Sequence, residues 1–210
     1  FVSGALCVSY SGNCYMSSFI GGRSGNRGMC AQVCRKRYKD SQDKEGYYLS
    51  PKDQLLGKED ITQLSEAGID AIKLEGRMKN PPYVFATVQY FHELMEGKNK
   101  VPLTPKLFNR GYSTGYFHGN TNLINPLFSG NYGHSIGILS HRKLTLSEKV
   151  ILGDGLAYLD KDGKILGGDY LNKIILQGSK EPHKSANPRE TLFFQSLPEG
   201  THSIHKTFSK

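Results

Sequence analysis

The chain has no cysteine after residue 34, no acidic side chain before residue 40, and no apolar run near the roughly 18–20 residues of a membrane-spanning helix. Each absence narrows the field. No membrane helix is expected. The start lacks the basic-then-apolar order of a secretory leader, so a cytoplasmic protein is the default, and that compartment disfavours structural disulfides. No Gly-x4-Gly-Lys-Ser/Thr and no Gly-x-Gly-x-x-Gly occurs, which removes the P-loop and the dinucleotide fingerprint. His92-Glu93 is followed by Leu94, Met95 and Glu96, so the second histidine of a zinc-peptidase helix is missing, and no serine nucleophile elbow is expected. No histidine precedes His92, so a cysteine nucleophile would have no base beside it in sequence. Internal repeats and low-complexity tracts are also lacking. The first residue is Phe1, and its stretch reads as a buried strand already under way. The chain is therefore expected to be the C-terminal portion of something longer.

What is present is concentrated at the start. All four cysteines, Cys7, Cys14, Cys30 and Cys34, fall within the first 34 of 210 residues, with gaps of six, fifteen and three. Such clustering points to a shared ligand: two disulfides, a zinc ion or an iron–sulfur cluster. Only Cys30-x3-Cys34 has the short spacing usual for structural zinc, whereas four thiolates around an iron–sulfur cluster tolerate varied gaps. The net charge is +8, and residues 1–39 hold +6 of it in Arg23, Arg27, Arg35, Lys36, Arg37 and Lys39. A basic patch beside thiols can be a solvated face, can offset an anionic cluster, or can attract phosphate and carboxylate groups.

The pattern along the chain reads as α/β and then β. A strand is expected over residues 1–10, a glycine-rich basic loop over 21–28, and a short helix over 29–38 with Cys30 and Cys34 on one face. Strands at 47–50 and 70–75 alternate with helices at 59–67 and 81–96, which implies parallel strands and crossover helices. The second helix opens on Pro81-Pro82, carries an apolar stripe of Val84, Val88, Phe91 and Leu94-Met95, and stops at Gly97. Residues 98–133 are irregular and rich in Gly, Asn, Pro and aromatics, a composition often functional. Short strands at 134–141, 143–152, 156–159, 173–176 and 191–196 then predict a small antiparallel barrel or sandwich, with Gly153-Asp154-Gly155 and Asp162-Gly163 as turns. Two domains are expected, 1–130 and 131–210.

The segments GALCVSYSGNCYMSS, GGRSGNRGMCAQVCRKRY, LEGRMKNPPYV and FNRGYSTGY closely resemble peptidase family U32 from residue 1 to about 120. The resemblance is looser through the β-rich tail. It implies the C-terminal part of a (β/α) TIM-like barrel followed by a small antiparallel β-barrel domain. It also implies a [4Fe–4S] cluster on Cys7, Cys14, Cys30 and Cys34, with zinc as the second choice. The most similar members act in RNA hydroxylation. They make 5-hydroxyuridine at the tRNA wobble position with prephenate as hydroxyl source, while others hydroxylate a ribosomal cytidine. The implied function is thus RNA hydroxylation, on tRNA before rRNA, with a paralogous U32 partner; the alternative is the collagenase-like peptidase of the family name. Ser3 stands where many members carry histidine.

A dicarboxylate such as prephenate suits arginine, whose planar fork binds carboxylates bidentately. Arg23, Arg27, Arg77 and Arg110 are the substrate-binding candidates. Arg77 follows a predicted strand, at the end where barrel sites gather, and is also a catalytic candidate together with Glu75, which would orient it or accept a proton. Tyr10, Tyr15 and Tyr38 are candidates for stacking on bases.

Overall fold

The computed structural model describes residues 1–10 and 12–209, and the chain divides into two units. The first comprises Phe1–Leu103 and Arg110–Ser129; the second comprises Thr104–Asn109 and Gly130 onward.

In the first unit, β1 (Ser3–Ala5) leads into a short helix α1 (Met16–Gly21), followed by the one-turn 3-10 segments Gly25–Arg27 and Val33–Arg35. The hairpin strands β2 (Tyr38–Lys39) and β3 (Glu45–Gly46) precede β4 (Asp53–Leu55). Helices α2 (Lys58–Glu66) and α3 (Pro81–Met95) follow, and β5 (Tyr112–Ser113) closes the unit. β4 is the centre of a three-stranded sheet, antiparallel to β1 and parallel to β5. A parallel bridge joins Ser3 to Leu74.

Local chemistry explains the helix ends. The Asp60 carboxylate accepts the Gly57 N–H at 2.8 Å and fixes the first turn of α2. The Asn80 side chain accepts the Tyr83 N–H at 3.1 Å ahead of Pro81 and Pro82, which need no amide partner there. Val2, Leu56, Ile61, Tyr90, Phe91 and Leu94 form the core, so α2 and α3 pack on the sheet around Val2 and Leu56. Gly4 is held at φ +133°, and a Cβ there would lie 2.7 Å from the Glu75 Cβ; only glycine lets these two backbones approach.

The second unit begins with the short helix α4 (Thr104–Leu107). Its strands are β6 (His134–Ser135), β7 (Gly137–Ser140), β8 (Lys143–Leu146), β9 (Val150–Ile151), β10 (Gly155–Leu159), β11 (Ile165–Tyr170), β12 (Ser185–Ala186), β13 (Thr191–Phe193) and β14 (Ser203–Phe208). Sheets ordered β11-β10-β14-β6 and β13-β8-β7, plus the pair β12-β9, are antiparallel among the described residues. Ile136, Leu144, Leu146, Val150, Leu156, Leu171, Ile174 and Ile204 fill the core. Asn131 explains why Thr104–Asn109 joins this unit. Its side chain accepts the Asn109 N–H and donates to the Thr207 carbonyl, both at 2.7 Å.

Several expected elements differ. Residues 29–38 are no α-helix: Gln32 adopts φ 53°, in the left-handed region, and its N–H is turned to the Cys30 Sγ at 3.3 Å, leaving one 3-10 turn. The strand expected at 47–50 lies instead at Asp53–Leu55, because Tyr47 and Ser50 close a turn and Pro51 has no N–H to offer a ladder. The strand expected at 70–75 is reduced to the bridge at Leu74, and that at 173–176 to bridges at Ile174 and Leu176. The stripe on α3 is also different. Tyr83, Ala86, Thr87, Tyr90, Phe91 and Leu94 are buried, whereas Val84, Val88 and Met95 are exposed with Phe85. The helix is apolar nearly all round, so periodicity could not choose its inner face. The helix α1 and the long strands β11 and β14 were not expected.

A four-cysteine cap beside a buried charge cluster

All four cysteines are free. The cap that carries them is built by small local contacts. The Asn26 side chain accepts the Cys14 N–H at 3.0 Å, and the Ser17 hydroxyl accepts the Ala31 N–H at 3.1 Å. Gly25 leaves room for the segments of Cys14 and Cys30: a Cβ on it would already stand 3.7 Å from the Cys30 Cβ and 3.8 Å from the Cys14 carbonyl. The Cys34 thiol is pushed up first by burial. Arg35 opposes this, and the thiols of Cys30, Cys7 and Cys14 each push it further up. The Cys34 thiol thus senses the other three. Among the described residues, no three His, Cys, Asp or Glu side chains already converge on a point that a metal could fill.

Arg35 connects the cap to the sheet. Its guanidinium donates to the carbonyls of Pro51 at 2.8 Å and Leu6 at 3.3 Å, and to the Ser50 hydroxyl at 3.4 Å. One side chain thus ties the neighbour of Cys7, the neighbour of Cys34 and the approach to β4. Burial lowers its pKa, as does Arg110; Asp53, Cys34 and Cys7 oppose.

Behind it lies Asp53, whose side chain is 0% exposed. Arg110 Nε donates to Asp53 Oδ1 at 2.6 Å, and Lys79 Nζ stands 3.9 Å from Oδ2. Burial drives the Lys79 ammonium down to about 7, against the pull of Asp53 and helped by Arg110 and Arg35. The Tyr112 phenol is pushed far above its ordinary range, chiefly by burial and then by Tyr83 and Asp53. Arg110, the partly neutralised Lys79 and, at longer range, Arg35 thus face one carboxylate, and Arg35 links this group to the thiols of Cys34 and Cys7. Sequence reading missed this cluster. The only signal was an aspartate shortly before the apolar pair Leu55-Leu56, beside Lys52 and Gln54, which does not by itself mark a buried charge.

The expected site residues are dispersed. Arg110 is buried on Asp53. Arg23 and Arg27 are exposed on the cap. Arg77 is exposed, and Glu75 is exposed and paired with Lys73 at 2.8 Å. Ser3 is fully buried, its hydroxyl beside the Tyr83 phenol. Tyr10 and Tyr15 are exposed, as is Phe19, while Tyr38 is half-buried and donates to the Val33 carbonyl at 2.9 Å. One stretch, Gly133-His134-Ser135-Ile136-Gly137, does carry the spacing of a serine nucleophile elbow. It is not one, because Ser135 sits in β6 paired to β14, its hydroxyl donates to the Gly137 carbonyl at 3.2 Å, and the strand β7 follows rather than a helix.

These features define a protein with a cationic, thiol-bearing cap mounted on an α/β sheet. The chain belongs to peptidase family U32, whose family model matches residues 1–125. It is 34% identical over 191 residues to the 23S rRNA 5-hydroxycytidine C2501 synthase of Escherichia coli K12, covering 77% of this chain and 29% of that protein. It is 31% identical to a collagenase of Porphyromonas gingivalis W83, covering 78% and 41% of the two chains. It is 32% identical to tRNA hydroxylation protein P1 of Bacillus subtilis 168, covering 61% and 36%. The chain thus spans less than half the length of each of these relatives. No solved structure matches it. No helix among the described residues is long and apolar enough to cross a membrane.

Proposed function

We propose that this chain is the cysteine-bearing part of an RNA-hydroxylating U32 protein. The observation that carries the reading is the cap: thirty-nine residues without one acid, holding six basic side chains and four free cysteines. The same stretch of chain exposes Tyr10, Tyr15 and Phe19 together with Arg23, Arg27 and Lys36. Basic groups that track phosphates, interleaved with aromatics that stack on bases, suit single-stranded nucleic acid. A peptide substrate gives no reason for so one-sided a charge.

Four cysteines at uneven spacing suit a [4Fe–4S] cluster, with zinc as the second choice. The thiols are free, Cys34 senses the other three, a backbone N–H already points at the Cys30 sulfur, and the Arg35 cation that could offset thiolate charge acts on Cys34 and Cys7. Cys7, Cys14, Cys30 and Cys34 would hold it, and when bound it supplies one-electron chemistry. Arg23, Arg27 and Arg77 are free to meet the carboxylates of prephenate, the hydroxyl donor in this reading, or RNA phosphates. Arg110 positions Asp53 instead. The preferred substrate is the tRNA wobble uridine, and the first unit is read as part of a (β/α) barrel acting in the cytoplasm with a paralogous partner.

The test is nucleoside analysis of total RNA from a strain lacking the gene, with iron and sulfide measured on the anaerobically purified full-length protein. Loss of one hydroxylated pyrimidine and about four irons per chain are expected. Unchanged RNA, with peptide release from denatured collagen by the purified protein, would establish the peptidase alternative.

A further inference from the structure

A cavity of about 330 Å³ opens beside Cys7. Its walls are mostly apolar, with Leu6, Val8, Pro51, Tyr116 and Leu123 prominent, and its polar edge comes from Asn120 and Thr121. We propose that this cavity takes one unstacked pyrimidine base of the RNA, so that the ring rests next to Cys7 while its phosphates lie along the basic cap. The inference rests on the RNA reading above and gives that reading its base-binding site.

Four observations support it. The walls are built rather than incidental. The Lys52 N–H donates to the Leu123 carbonyl at 2.7 Å, Lys52 Nζ holds the Asn122 carbonyl at 3.0 Å, and Pro51 bridges to Ile124. Arg35 ties Leu6 to Pro51 through the carbonyls of both. The size is at the small end of ligand sites, roughly 300–1,000 Å³, which suits a single ring and its sugar.

The chemistry also matches a base. Tyr116 is 68% exposed at the rim, presented by the tight turn that the Gly119 N–H closes onto its carbonyl at 3.0 Å, and is free to lie against a ring. The Asn120 side-chain oxygen is already taken by the Asn122 N–H at 2.8 Å, so what Asn120 offers is its amide donor, suited to a pyrimidine carbonyl. The Thr121 hydroxyl can donate or accept beside it. Finally, the charge is complementary. The segment that contributes Leu6, Cys7 and Val8 to the cavity continues into the acid-free, +6 stretch, so a polyanion drawn to that stretch delivers its bases to this cavity.

The experiment compares a fluorescein-labelled pentamer of uridylate with a pentamer of abasic ribose phosphates, titrated by anisotropy against the anaerobically purified full-length protein. Stacking of about 1–3 kcal/mol per base predicts uridylate binding at least about fivefold tighter than the abasic strand. Tyr116→Ala and the cavity-filling Val8→Phe are expected to erase that preference and leave abasic affinity within about twofold. Thr121→Val, a nearly isosteric change, is expected to reduce the preference while leaving the thermal melt unchanged; it keeps the test valid if a larger change unfolds the chain. Equal, salt-sensitive binding of both strands by the unaltered protein would overturn the cavity assignment alone. No binding of either strand at low salt would overturn it together with the RNA reading.

Discussion

Replacing Asp53 by asparagine should be among the most damaging conservative changes in this chain. The carboxylate is fully buried, 2.6 Å from Arg110 Nε and 3.9 Å from Lys79 Nζ, with Arg35 as a third nearby cation. At an effective dielectric of about 20, one such pair at about 4 Å is worth about 4 kcal/mol before the cost of desolvation is subtracted. Asparagine keeps the shape and removes the charge, leaving cations facing one another in a water-poor site. Stranding a buried partner in this way costs about 3–5 kcal/mol, against a total stability of about 5–15 kcal/mol. Lys79→Met should by itself cost little, because it removes an ammonium that burial already drives toward neutrality at about pH 7. The double variant Asp53→Asn, Lys79→Met should therefore recover about 1–2 kcal/mol relative to the sum of the two single changes. Urea unfolding followed by far-ultraviolet circular dichroism reads all three midpoints. The sign with pH is fixed too. The folded pKa of Lys79 is about 7 and its ordinary value is 10.5, so between these limits the unfolded chain holds the extra proton and stability rises with pH. If Asp53→Asn moves the midpoint by less than about 1 kcal/mol, or if the two changes are strictly additive, the cluster is not the coupled unit described here.

In the second unit, burial alone would raise Glu148, but hydrogen bonds from Lys206, His134 and Lys106 hold it at about 2 against an ordinary 4.5. The network is partly solvated, so it contributes about 1–2 kcal/mol, present above pH 4.5 and lost as pH falls toward 2; Glu148→Gln should flatten that acid limb of a thermal-melt series. Gly4→Ala must place a Cβ 2.7 Å from the Glu75 Cβ at φ +133°, and should cost about 2–4 kcal/mol by the same urea assay; a change under about 0.5 kcal/mol would contradict the packing. On the cap, Arg27→Gln and Lys36→Gln should each lower the slope of log affinity against log salt for single-stranded RNA by about 0.7, while a surface change at Lys161 should leave the slope alone.

The cysteine cap and the change from α/β to β were legible because they rest on composition and on strong local signals. Pro81-Pro82 and Gly97 punctuate α3, and Gly153-Asp154-Gly155 marks a turn, whatever the surroundings. The inner face of α3 was hidden, since its tyrosines and Thr87 are chosen for burial by the sheet beneath them rather than by their own hydrophobicity. The segment 29–38 has helical spacing, yet backbone bonding to the Cys30 sulfur and the left-handed Gln32 override it. The Asp53 cluster draws on residues as distant as Arg35 and Arg110, a union that only tertiary packing creates. Arg77 was attractive because it follows an apparent strand, and that strand is a single bridge with the arginine outside it.

The guanidinium of Arg35 joins Leu6 to the adjacent pair Ser50 and Pro51, which lies far along the chain from it. Segments fastened by one clasp cannot loosen independently. Amides on either side of each attachment should exchange with deuterium at a common rate, so that a disturbance at Arg35 reaches the end of β1 and the start of β4 together.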